Sequence, residues 1–255
     1  MELDTPPRKV NLSFDRTCNL ACPSCRTDFI AAKSAERDTM LAMANTKVMP
    51  LLETAHLVTV TGSGDPFASK TFRHILRSLQ PERCPDLKIR LVTNGVLFTP
   101  DEWEKIAHLH GRIERVNVSV DAACPETYAI VRRGGNWDRL LANLEFLCGL
   151  ARDGAFESVH LAFVVQALNW QEMPAFVELG RNLGVKSVYF SLLENWGTFE
   201  EAQFAANAVH FPSHPDYQDF LHLLRTAPEF DDPLVWLGAS LATMRASEVA
   251  RTRIQ

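Results

Sequence analysis

The stretch SFDRTCNLACPSCRTDF (13–29) sets three thiols in eight residues, spaced Cys18-x-x-x-Cys22-x-x-Cys25. Thiolates are soft ligands. Three on one short loop can hold three irons of a cubane [4Fe–4S] cluster and leave the fourth iron open. Zinc is the alternative, and it would need a fourth ligand from a distant residue. No histidine lies within 30 residues of Cys25, and Pro212 breaks the helix that would align His210 with His214. The spacing therefore favours the cluster. Cys84, Cys124 and Cys148 lie far apart and form no second motif. Cys148 shares an apolar helix face with Leu144 and Leu147 and reads as core, and Cys84 as a loop residue.

Such a loop must be carried by a scaffold. Short β-rich runs alternate with helical stretches: KVNLSF (9–14), HLVTVT (56–61), KIRLVT (88–93), RVNVSV (115–120), SVHLAFVV (158–165) and SVYFS (187–191). Amphipathic helices are expected at 136–152 and at 170–184, where Gly184 marks a stop. Six strand–helix units predict an α/β fold whose parallel strands have right-handed crossovers. The strands are not apolar throughout. Asn11 and Ser13, Thr59 and Thr61, Arg90, Asn117 and Ser119, and His160 form a polar stripe. A parallel strand covered on both faces reads apolar, so the stripe predicts that one face lines a cavity, as inside a barrel. After residue 193 the pattern becomes aromatic, acidic and proline-interrupted, with helices expected near 215–226 and 239–251. The expected organisation is a barrel over 1–193 and a short, mainly helical extension over 194–255.

The bulk numbers exclude several classes of partner. The 255 residues are 46% hydrophobic and 22% charged, enough for one large soluble domain. Lys and Arg number 26 against 31 Asp and Glu, a net charge of −5, so there is no basic footprint for nucleic acid. No apolar run reaches the roughly 18 residues that cross a bilayer. MELDTPPRKV has no apolar signal segment, so a cytoplasmic location is expected.

CNLACPSC after a first strand resembles the signature of the radical S-adenosylmethionine (radical SAM) enzymes, and the resemblance runs from residue 9 to about 200. It is nearest to members with SPASM or twitch extensions, although this sequence has no auxiliary-cluster cysteines. The resemblance implies a partial (β/α)6 barrel and a [4Fe–4S] cluster on Cys18, Cys22 and Cys25. It also implies S-adenosylmethionine chelated at the open iron and a flavodoxin- or ferredoxin-like electron donor. TGSGDPF (61–67) resembles the family's Gly-Gly-Glu-type motif, which binds the methionyl amino group. Gly62, Ser63 and Gly64 then supply backbone, and Asp65 stands where glutamate is commoner. NVSVDAACPETYAIVRRGGNW (117–137) resembles a second block. It implies that Ser119 and Asp121 approach the ribose or the methionyl carboxylate, and that one of the adjacent Arg132 and Arg133, with Arg132 favoured, pairs with that carboxylate. Asn94, which ends the third strand, is similar to a position near the cofactor. Gln166, Asn169, Ser191 and Leu193 fall on the adenine side.

The resemblance further implies reductive cleavage of S-adenosylmethionine to a 5′-deoxyadenosyl radical, which abstracts a hydrogen atom from a substrate carbon. A peptide or protein is the expected substrate, although the cysteine loop begins at residue 18 and no leader-binding domain is expected before it. The alternatives are a carbohydrate or aminocyclitol, stacked on Trp196, Phe199 or Tyr217, and an inactive fold kept as a scaffold. With no cysteine after Cys148, a redox-neutral outcome such as epimerisation is expected, with Cys124 as hydrogen-atom donor.

Overall fold

The computed structural model of the chain describes residues 5–247. Its strands are β1 (Lys9–Leu12), β2 (Leu57–Val60), β3 (Lys88–Thr93), β4 (Ile113–Ser119), β5 (Ser158–Val165), β6 (Ser187–Leu192) and β7 (Val235–Leu237), in one sheet of order β1-β2-β3-β4-β5-β6-β7. The α/β class and the six expected strands stand. The seventh is an addition, arising from the segment expected to be helical. Helices do occur there, at Glu201–Asn207, Tyr217–Thr226 and Ala239–Ala246. Residues 248–251 of the last expected helix lie outside the described residues.

The chain divides into two compact units. The first takes the residues up to Ala21, Asp28–Ser119 and Asp138–Val159. In it β1, β2, β3 and β4 pair in parallel, with Val10 opposite Val58, Val58 opposite Ile89 and Leu91 opposite Val116. One sheet face is sealed: Leu12, Val58, Val60, Ile89, Leu91, Val116 and Val118 are all buried. The opposite face stays open, with Asn11 exposed and Thr59, Arg90, Arg115, Asn117 and Ser119 half-buried. Alternation along a strand sends successive side chains to opposite faces, so the polar stripe and the apolar stripe separate cleanly. Helix Lys70–Ser78 begins on Ser69, whose hydroxyl accepts the Phe72 N–H, and buries Phe72, Ile75 and Leu76. Helix Trp137–Arg152 buries Leu140, Leu144, Leu147 and Cys148. Burial of each such side chain contributes about 1.5–3 kcal/mol.

The second unit takes Cys22–Thr27, Val120–Trp137 and the residues from His160 on. Here β5 pairs with β6 and β6 with β7, again in parallel. Leu161, Phe163, Val165, Val188 and Phe190 line the sealed face, where Phe163 meets Phe176 at 4.8 Å and Phe190 at 5.3 Å between ring centroids. Helix Met173–Leu183 ends on Gly184, whose φ of +73° is the left-handed conformation a glycine adopts without strain. His214, once weighed as a zinc ligand, is occupied locally: Nε2 meets the Ala206 carbonyl at 3.1 Å and Nδ1 the Asp216 N–H at 3.1 Å.

Candidate functional site

In the first unit, three loops at the strand ends are tied together by side chains from β1 and β3 and their continuations. Asp15 accepts the Thr17 N–H at 2.9 Å through one oxygen and the Ser69 hydroxyl at 2.6 Å through the other. The Thr17 carbonyl accepts the Asp65 N–H at 2.9 Å. Gly64 permits this approach, since a Cβ there would sit 2.5 Å from the Asp15 carbonyl oxygen and 2.6 Å from that of Thr17. The glycine thus brings the TGSGDPF loop against the cysteine loop. Thr61 accepts the N–H groups of Ser63 and Gly64, and the Ser63 hydroxyl donates to the Ser13 carbonyl.

Asp65 has a different job from the one expected. It is fully buried. One carboxylate oxygen accepts the Phe67 and Ala68 N–H groups at 2.9 and 3.3 Å, and the other the Thr93 hydroxyl at 2.7 Å and the Asn94 N–H at 2.9 Å. A carboxylate offers roughly four lone-pair sites, and all are taken. Burial pushes its pKa above the usual carboxylate value against the pull of those donors. Asp65 therefore staples β3 to the loop after β2 and has no acceptor left for a ligand's amino group. Asn94, held by this staple, donates to Asn19 Oδ1 at 2.9 Å and to Cys18 Sγ at 3.7 Å. The Leu20 N–H also donates to Cys18 Sγ, at 3.4 Å.

In the second unit, the Cys22 carbonyl accepts the N–H groups of Cys25 and Arg26, closing a tight turn. Arg26 Nη2 reaches Cys25 Sγ at 3.4 Å and Arg132 Nη1 reaches Cys22 Sγ at 3.7 Å. Arg132 caps helix Pro125–Val131 and pairs through Nη2 with Asp121 at 2.7 Å, the two side chains only 12% and 2% exposed. Burial opposes its charge, yet Asp121 and Cys22 outweigh burial and hold its pKa above the ordinary value. Burial raises the pKa of Asp121, partly offset by Arg132 and the Val164 N–H. Asp121 is also the one non-glycine among the described residues with positive φ, +61°. That turn sends its carboxylate to the Val164 N–H at 2.8 Å as well as to Arg132, and its carbonyl to Asn169 Nδ2 at 2.8 Å. Arg133 is exposed and donates to the Thr27 carbonyl, so the two adjacent arginines are distinguished. Cys124 Sγ lies 3.5 Å from Thr127 Oγ1 and 3.4 Å from Glu172 Oε1, and the other Glu172 oxygen accepts the Ala123 N–H at 2.6 Å.

The family model of the radical SAM superfamily matches residues 12–180. The chain belongs to the radical SAM superfamily. Among its curated radical SAM relatives is a probable GTP 3′,8-cyclase of Methanocaldococcus jannaschii, 24% identical over 180 residues, which cover 69% of this chain and 56% of the relative. The chain thus spans about half the length of that relative. Several solved structures share the fold. Streptococcus suis SuiB bound to S-adenosylmethionine has a TM-score of 0.57 at 14% identity, over 98% of this chain and 51% of its own. The enzyme anSMEcpe with bound AdoMet and Kp18Cys peptide has a TM-score of 0.55 at 15% identity, over 89% and 60%.

Radical SAM enzymes use a [4Fe–4S] cluster and S-adenosylmethionine, and the donor set here suits both. All six cysteines are free thiols, and each sulfur of the triad already accepts an N–H bond from its own unit. Such bonds stabilise thiolate and tune a bound cluster. A cubane takes each of three thiolates on a separate iron. Arg132 Nε and Gln166 Nε2 are buried without hydrogen-bond partners among the described residues, two donors with capacity for a ligand.

The remaining expected residues are placed as follows. Ser119 ends β4 on the open face of the first unit, and Ser191 lies half-buried on β6 in register with Val164. Asn169 braces the turn at Asp121, while the Leu193 N–H donates to the Val165 carbonyl. Asp15, Asn19, Thr93 and Glu172 were not foreseen. Asp15 continues the polar stripe of β1 and so carried a signal. Glu172 is 48 residues from Cys124 and carried none.

Proposed function

We propose that Cys18, Cys22 and Cys25 hold a [4Fe–4S] cluster, and that Asn94 and the backbone of 62–64 in the first unit and Arg132 and Gln166 in the second each contribute contacts to S-adenosylmethionine. The observation that carries this reading is the N–H donor on every sulfur of the triad. Held by Cys18, Cys22 and Cys25 and reduced by a flavodoxin- or ferredoxin-like protein, the cluster would supply the electron for reductive cleavage of S-adenosylmethionine, and with it radical chemistry at a substrate carbon. Arg132 keeps its charge because Asp121 balances it, and its unpartnered Nε faces no competitor for the methionyl carboxylate. Asp65 holds the loop that presents backbone carbonyls to the methionyl amino group.

The substrate we favour is a peptide or protein with a redox-neutral outcome such as epimerisation, a choice supported by the peptide-bound structural neighbour. Cys124 then returns a hydrogen atom to the substrate carbon, its S–H held by Thr127 and Glu172. The resulting thiyl regains one electron from the donor protein and one proton from water. A nucleotide is the second reading, favoured by the curated relative named a GTP 3′,8-cyclase. Anaerobic reconstitution tests the metal assignment. About four irons and four sulfides should bind per chain, the reduced-cluster EPR signal should change on adding S-adenosylmethionine, and Cys22→Ala should lose the cluster. Zinc without iron in protein made and kept free of oxygen would overturn it.

A further inference from the structure

The open sheet face of the first unit carries two arginines side by side. Arg90 on β3 stands in register with Arg115 on β4, and Thr59 on β2 flanks Arg90. Adjacent parallel strands lie about 4.8 Å apart, so the two like charges are close neighbours. The register shifts between Ile89 and Arg90, which leaves Glu114 as the extra residue of a bulge. That bulge aims an acid at one arginine only: Glu114 Oε1 accepts Arg90 Nε at 2.9 Å and Nη2 at 2.6 Å. Arg115 has no ion-pair or hydrogen-bond partner among the described residues, and its Nε is closed off from solvent. A surface arginine left to solvent keeps all its N–H groups in water; this one is partly desolvated and uncompensated, which costs stability unless an anion arrives.

We infer that Arg115 is an anion-recognition subsite for the substrate, taking a carboxylate or phosphate group on its guanidinium fork. Asn117 and Ser119 follow on the same open face and add an amide and a hydroxyl donor toward the strand end. Ser119 lies four residues along the strand from Arg115, about 13 Å. A substrate reacting near the end of β4 would therefore carry its anionic group roughly 13 Å away, a span fitting a short peptide or a nucleoside polyphosphate. The inference rests on the reading that this open face receives the substrate, and it narrows the substrate to an anionic one.

Calorimetric titration of the anaerobically reconstituted protein with inorganic pyrophosphate and with glutarate tests the subsite without turnover. At least one probe should bind wild type, and Arg115→Gln should weaken it at least about tenfold, the loss expected for a charge-assisted pair. Arg83→Gln, at an exposed arginine paired with Glu53, should leave binding unchanged. Preference for pyrophosphate indicates a phosphorylated substrate, and preference for glutarate a carboxylate-bearing one. Without anion, Arg115→Gln should melt at or above the wild-type temperature, because it removes an unneutralised charge beside Arg90. No binding by wild type, equal binding by the variant, or a clearly lowered melting temperature would each overturn the subsite. Arg115-dependent binding in a protein that cleaves no S-adenosylmethionine would leave the subsite standing and sink the radical chemistry alone.

Discussion

Arg132→Ala removes one partner from a buried ion pair and should be the most damaging single change among the arginines. Asp121 and Arg132 meet at 2.7 Å with 2% and 12% of their side chains exposed, so solvent cannot replace the lost partner. The Asp121 carboxylate would keep only the Val164 N–H, in a turn already holding a non-glycine residue at positive φ. Breaking a buried pair on one side costs about 3–5 kcal/mol, and in a chain of this size each kcal/mol lowers the melting temperature by about 2–4 °C. A fall of roughly 10 °C is expected by differential scanning fluorimetry on the cluster-free protein. Asp121→Asn should also destabilise. The double variant Asp121→Asn with Arg132→Gln should recover most of the loss, because two neutral amides can bond to each other. A loss below about 1 kcal/mol, or a double variant no more stable than the sum of the singles, would refute the coupling.

Two further changes separate structure from chemistry. Gly64→Ala drives a methyl into the carbonyl oxygens of Asp15 and Thr17 at 2.5 and 2.6 Å. Neither can yield cheaply, so iron loading measured after reconstitution should fall and stability drop by about 1–3 kcal/mol; full loading with unchanged stability would mean the loops do not need this contact. Cys124→Ala should still form 5′-deoxyadenosine but block turnover, and wild type in deuterated water should place deuterium on the product. Normal turnover by the variant would remove Cys124 as donor, and a product two electrons more oxidised than the substrate would defeat the redox-neutral outcome.

What was legible in the sequence was what is local. The cysteine spacing lies within eight residues, and β3 and β5 begin and end at the expected residues because apolar alternation runs their whole length. β7 was not legible: three residues between Pro233 and Gly238 carry no period. The role of Asp65 was hidden because two of its donors, Thr93 and Asn94, come from 28 and 29 residues away. Arg132 and Arg133 are adjacent, and only the end of helix Pro125–Val131 decides which points inward. The orphaned state of Arg115 depends on a bulge one residue long, which spacing cannot reveal.

The central claim is tested most directly by chromatography of the anaerobic, reduced, reconstituted protein incubated with S-adenosylmethionine. Equal amounts of 5′-deoxyadenosine and methionine are expected, both lost in Cys22→Ala. Intact S-adenosylmethionine after prolonged incubation of a fully loaded, reduced wild-type cluster would contradict it.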